Sequence, residues 1–213
     1  MTNGLVRQAE ILGAVLAGGG SRRLGRDKAL VEFEGQTLVE RAVEVLDAVF
    51  AETVVVAPDR PAYRQLAVSL LPDLHPGQGP VGGLHTALVH ANGRPVFVLA
   101  CDMPLVTSDL VRWIVDDGRR PAGQARGSAS DARVVRDARG AQPLCGLYFG
   151  RCLAAVEAAL EEGRLSALEL VAGLRTEILD LDPQARWFSP RLLANLNTPQ
   201  DLETLAGSRG QRP

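Results

Sequence analysis

An apolar run, Ile11-Leu12-Gly13-Ala14-Val15-Leu16, leads into the triple glycine Gly18-Gly19-Gly20. A strand apolar at every position has no face for water, so it belongs inside a parallel sheet covered on both sides by helices. The glycines carry no Cβ, so the backbone after the strand can turn sharply and lie against a ligand. Consecutive backbone N–H groups in such a turn converge on an anion, and Arg22, Arg23 and Lys28 add positive charge. Strand, glycine turn and cations in that order make the chemistry of a nucleoside triphosphate site.

The familiar phosphate motifs do not account for this turn. A P-loop places Lys and then Ser or Thr after its last glycine, whereas Arg26 follows Gly25 here. A dinucleotide fingerprint would need glycine at the position of Arg23.

The chain beyond the turn supports an α/β fold. Thr37 and Glu40 form a capping box, and Leu38, Ala42, Val43, Leu46 and Phe50 recur at helical spacing. Thr53-Val54-Val55-Val56-Ala57, bounded by Pro58, reads as a second buried strand, which makes a right-handed parallel βαβ unit. Ala29 to Phe33 is expected as a short strand or extended arm. Tyr63 to Ala67 reads as a short helix and Val68 to Leu71 as a third strand. Pro72 to Gly83 is too rich in Pro and Gly for a helix, and Asp73 stands at its start. Gly82-Gly83 then opens a helix, either as a second backbone approach to a ligand or as a plain surface loop entering a helix.

Val96 to Ala100 is the most apolar run and is expected at the centre of the sheet. Ligands in open α/β sheets bind beyond the carboxyl ends of strands, so Asp102 should emerge beside Gly18–Gly20. A carboxylate there suits Mg²⁺, and it equally suits a turn cap ahead of Pro104. A helix follows from Thr107 or Ser108, then a mobile loop over Asp117–Asp131. A hairpin is expected over Ala132–Val135 and Pro143–Phe149, then helices over about 151–162 and 167–173 and a strand over Glu177–Leu181. Thr198 and Pro199 are placed as N-cap and first residue of a last helix, and residues 207–213 as a flexible polar tail.

Whole-chain figures narrow the class. The 213 residues permit one large α/β domain or two small ones, and 46% hydrophobic content supplies a core. A net charge of −2 excludes a general nucleic-acid or membrane-surface binder. Three unpaired-looking cysteines (Cys101, Cys145, Cys152) indicate a reducing compartment, and His75, His85 and His90 form no metal pattern. No signal-peptide core or spanning stretch is present in the sequence, so a cytoplasmic protein, monomeric from its ordinary surface, is expected.

Taken together, LAGGGSRRLGRDKAL from Leu16, Gly79-Pro80-Val81-Gly82-Gly83, Asp102-Met103-Pro104, Pro143–Tyr148 and Asn195–Pro199 resemble the molybdenum cofactor guanylyltransferases over roughly residues 11 to 205. The resemblance implies a single Rossmann-like three-layer domain over 1–206 with a mostly parallel central sheet, of the nucleotide-diphospho-sugar transferase type. Its N-terminal half would bind nucleotide and its C-terminal half the pterin acceptor. It implies transfer of GMP from GTP to molybdopterin, or to its molybdenum-loaded form, with release of pyrophosphate. Leu16, Ala17, Gly18 and Gly19 match the nucleotide-binding backbone, Lys28 the phosphate-binding lysine and Asp73 a guanine contact. Asp102 matches the Mg²⁺ position, Arg22 joins Lys28 and the Mg²⁺ on Asp102 in offsetting the charge of the phosphates, and Asn195 and Asn197 match the acceptor side. Cofactor-inserting proteins and molybdoenzyme chaperones are implied partners.

One departure bears on base choice: Ala57 stands where the family often has asparagine, with Asp59 close by. The cytidylyltransferase relatives typically show Ala-Ala-Gly where this chain has Ala17-Gly18-Gly19. Other small-molecule nucleotidyltransferases, or a catalytically silent nucleotide-binding partner, share the general pattern; Lys28 and Asp102 together speak against the silent reading. The chemistry itself needs no histidine, because the attacking phosphate of the acceptor is already ionised near neutral pH.

Overall fold

The structure is a computed structural model describing residues 8–18, 27–59, 61–65, 68–116 and 130–206. In chain order the strands are β1 (Gln8–Leu16), β2 (Glu32–Phe33), β3 (Gln36–Thr37), β4 (Phe50–Ala57), β5 (Ser69–Pro72), β6 (Val96–Ala100), β7 (Ala132–Asp137), β8 (Gly140–Tyr148) and β9 (Thr176–Asp180). The helices are α1 (Leu38–Asp47), α2 (Gly79–Ala91), α3 (Ser108–Val115), α4 (Leu153–Glu161), α5 (Ala167–Gly173) and α6 (Pro199–Ala206).

Seven strands form one sheet in the order β5-β4-β1-β6-β8-β7-β9, with the apolar run of β6 in the middle. β8 alone runs against its neighbours; the remaining pairings are parallel. Alternate side chains of each central strand enter opposite layers, as a period of two demands. Val15, Phe97 and Leu99 join Leu38, Leu46, Leu110 and Ile114 of α1 and α3 in one cluster. Leu12, Leu16, Val96 and Val98 join Val81, Leu84, Leu88 and Val156 of α2 and α4 in the other. Both faces of the sheet are therefore covered, which is why these strands carry no polar alternation.

Local signals explain the elements that frame the site. Thr37 Oγ1 accepts the Glu40 N–H while Glu40 reaches back to the Thr37 N–H, closing the capping box of α1. Phe50, expected at the end of that helix, instead begins β4. Lys28–Leu30 is a single 3-10 turn, and the following residues form the small β2–β3 hairpin outside the main sheet. The larger correction concerns α2, which starts at Gly79, inside the stretch expected to be non-helical. Pro80 is tolerated because it lies in the first turn, where its missing N–H has no intrahelical partner to lose.

The order of strands positions the site. From β1 the chain moves outward to β4 and β5, then returns through α2 to β6 on the other side of β1. The carboxyl ends of β1 and β6 thus border the crevice where the winding reverses, the place where α/β sheets bind ligands.

Candidate active site

Lys28 is presented by its 3-10 turn, capped by Asp27, whose Oδ1 accepts the Ala29 N–H at 3.2 Å. The hydroxyl of the fully buried Tyr63 lies 2.9 Å from Asp27 Oδ2 and 3.2 Å from the Ala17 carbonyl oxygen. This contact ties the exit of β1 to the residue before the lysine. Lys28 Nζ donates to Asp102 Oδ2 at 2.6 Å and to Asn197 Oδ1 at 2.6 Å.

Asp102 reaches that position because β6 runs in register with β1, Leu16 opposite Ala100, and the Cys101 N–H donates to the Leu16 carbonyl. The segment before α6 is bonded onto it: the Leu196 N–H donates to the Asp102 carbonyl at 2.8 Å. Asp201 Oδ2 accepts the N–H groups of Asn197 and Thr198, each at 2.8 Å, and Thr198 Oγ1 accepts the Asp201 N–H. These bonds, the one from Asn197 foremost, hold the Asp201 carboxyl below its ordinary range. Asn195 Oδ1 is buried without a hydrogen-bond partner among the described residues. Burial first, and then the charge of Asp102, pushes the neighbouring Cys101 thiol up to about 12, so it stays protonated and unreactive.

Asp73 follows β5 and lies beside Gly18, just past the end of β1. A Cβ built on Gly18 would stand 4.0 Å from Asp73 Oδ2 and 3.8 Å from Pro58 Cδ, so the backbone here closely borders that carboxylate. Leu16 ends β1, and the Ala17 N–H donates to the Val56 carbonyl, extending the ladder by one residue. Gly19 and Arg22 lie outside the described residues. Ala57 is buried and offers no side-chain polar atom, while Asp59 is engaged by Arg64 at 3.0 Å.

The structure therefore brings Lys28, Asp102 and Asn197 into direct contact and sets Asp73 beside Gly18. Sequence reasoning missed Asp27, Tyr63 and Asp201. For Asp201 a signal existed, since Thr198-Pro199-Gln200-Asp201 fits the capping-box pattern. Tyr63 carried none, because its partners come from distant parts of the chain. Among the described residues there is no group of three or more His, Cys, Asp or Glu able to hold a metal ion. Among them, too, no helix is long and apolar enough to cross a membrane.

The sequence profile of the MobA-like NTP transferase domain matches residues 13–175. The chain belongs to the MobA-like NTP transferase family. This nucleotidyltransferase is 38% identical over 203 residues to a probable molybdenum cofactor guanylyltransferase of Opitutus terrae, covering 91% of the chain and 93% of that relative. It is 33% identical over 191 residues to the molybdenum cofactor guanylyltransferase of Syntrophotalea carbinolica, covering 89% and 87%. Among solved structures it superimposes on molybdopterin-guanine dinucleotide biosynthesis protein A of Archaeoglobus fulgidus with a TM-score of 0.74 and 27% identity, covering 92% and 97%. The alignments with these relatives span most of each chain.

Proposed function

We propose that this transferase moves GMP from GTP onto molybdopterin, or onto its molybdenum-loaded form, and releases pyrophosphate. The observation that carries the reading is the meeting of Lys28, Asp102 and Asn197 at the reversal crevice, one residue from each of three distant chain segments. The names of the relatives support the substrates.

A phosphate of the acceptor would attack the α-phosphorus of GTP, forming one P–O bond as the bond to pyrophosphate breaks. Both partners are anions, so the barrier is dominated by bringing like charges together. The Lys28 ammonium offsets that charge. Asn197, bonded to Lys28, links the acceptor side to the same cation. The Asp73 carboxylate can accept from the N1–H and 2-amino edge of guanine, an edge adenine lacks. Because Ala57 supplies no polar group, base choice rests chiefly on Asp73.

The donor set fits Mg²⁺ borne by the substrate. The Asp102 carboxylate stands at the crevice with no three-ligand protein cage among the described residues, and Mg²⁺ commonly uses one or two carboxylates plus substrate phosphates. Bound there, the ion would neutralise developing charge on the phosphates.

Pyrophosphate production with each of the four nucleoside triphosphates, with and without molybdopterin, tests the reading. Release is expected only with GTP and the acceptor together; preference for CTP, or release with an unrelated sugar phosphate, would overturn it.

A further inference from the structure

Thr86, on the second turn of α2, touches the proposed base-reading carboxylate but has no role in the chemistry above. Its side chain is almost fully buried, and its Oγ1 accepts the Leu74 N–H at 3.0 Å. The hydroxyl lies 3.0 Å from the Gly82 carbonyl oxygen and 3.3 Å from Asp73 Oδ1, the two acceptors for its single proton. Asp73 Oδ1 also accepts the His75 N–H at 2.9 Å. One helical turn earlier, a Cβ on Gly82 would stand 3.0 Å from His75 Cβ and from the His75 carbonyl oxygen, and 3.5 Å from Asp73 Oδ1. The turn over residues 73–75 is thus pressed onto the start of α2, with Thr86 bonded to both its backbone and its carboxylate.

The torsion that turns an aspartate carboxylate is broad and nearly two-fold, so nothing intrinsic fixes which oxygen faces a ligand. Here Oδ1 is anchored toward α2, and Oδ2 is the oxygen bordering Gly18. We propose that Thr86 is a positioning residue for base selection, holding Asp73 so that Oδ2 meets the donor edge of the purine. The inference rests on the reading of Asp73 as the guanine contact.

Inosine triphosphate keeps N1–H and lacks the 2-amino group, so the GTP-to-ITP ratio reports the contact directly. Binding of both nucleotides is measured by calorimetry without acceptor, and kcat and KM with it, for wild type, Thr86→Val, Thr86→Ser and Asp73→Asn. Wild type should favour GTP by about tenfold or more, the scale of one charge-assisted hydrogen bond. Thr86→Val should lower that ratio about fivefold or more through GTP affinity, leave kcat at saturation within about threefold, and be rescued by Thr86→Ser. If Thr86→Val does not fold, Thr86→Ala, which leaves room for a water at the Leu74 N–H, carries the same readout.

An unchanged ratio in Thr86→Val, with the ratio lost in Asp73→Asn, overturns the role of Thr86 and leaves the base reading intact. An equal loss for both nucleotides that serine does not rescue means a purely structural residue. An unchanged ratio in Asp73→Asn removes the base reading and this inference with it.

Discussion

Replacing Asp102 with asparagine removes one charge from the contact between Lys28 Nζ and Asp102 Oδ2 while keeping a side-chain oxygen in place. At their 2.6 Å separation the gross attraction is about 6 kcal/mol at an effective dielectric of 20 and about 1.6 kcal/mol in bulk water. About a fifth of each side chain is exposed, 18% and 23%, and Lys28 retains Asn197. Once desolvation is set against the attraction, about 1–2 kcal/mol of stability remains at stake. For a chain of this size that lowers Tm by roughly 2–8 °C. Turnover should fall far more, by about 10³-fold, the usual scale for losing one member of a phosphoryl-transfer clamp. The assays are thermal unfolding and pyrophosphate release with GTP, Mg²⁺ and molybdopterin. Turnover surviving within about fivefold would refute a chemical role, since 10³-fold corresponds to about 4 kcal/mol. A collapse in stability with proportionate loss of activity would make Asp102 structural instead.

Two further expectations follow from groups away from the crevice. Arg133, 5% exposed, donates to Glu177 at 2.9 Å and to the Ile114 and Val115 carbonyl oxygens at the end of α3. Arg133→Ala should cost about 3–5 kcal/mol in urea unfolding, with much of it regained when Glu177 is also made apolar; a loss below about 1 kcal/mol refutes this. Burial first, and then the His75 imidazole 3.1 Å away, holds His85 below the ordinary histidine value of 6.5 despite the pull of Glu157. The unfolded chain therefore takes up a proton near that value that the folded chain resists, so this contribution is complete above it and declines as pH falls below it. His85→Gln should flatten that part of the Tm-against-pH curve; an unchanged acid slope would contradict the assignment.

Much of this architecture is written in short-range patterns. The run of β1, the capping box of α1 and the uninterrupted apolarity of β6 each act within a few residues, and each is realised. The proximity of Asp102 to the exit of β1 was legible too, because parallel pairing puts the ends of neighbouring strands side by side. The start of α2 was not, because Pro and Gly weigh against helix locally while Gly83 sits close against the sheet: a Cβ there would stand 3.2 Å from Leu16 Cδ2, a tight contact. Tyr63 and Thr86 escaped notice for a different reason. Their partners Ala17, Asp27, Leu74 and Asp73 arrive through the tertiary fold, and no spacing within their own segments announces them.

Lys28 and Asn197 are separated by 169 positions, and the second bolt, Leu196 to Asp102, also comes from the far end of the chain. A growing polypeptide emerging from the ribosome would have its strand ends and its lysine in place long before the asparagine that joins them existed. The crevice is consequently among the last places to be finished: a chain stopped after β9 would already carry all seven strands of the described sheet and the Lys28–Asp102 pair, but not the asparagine that completes them.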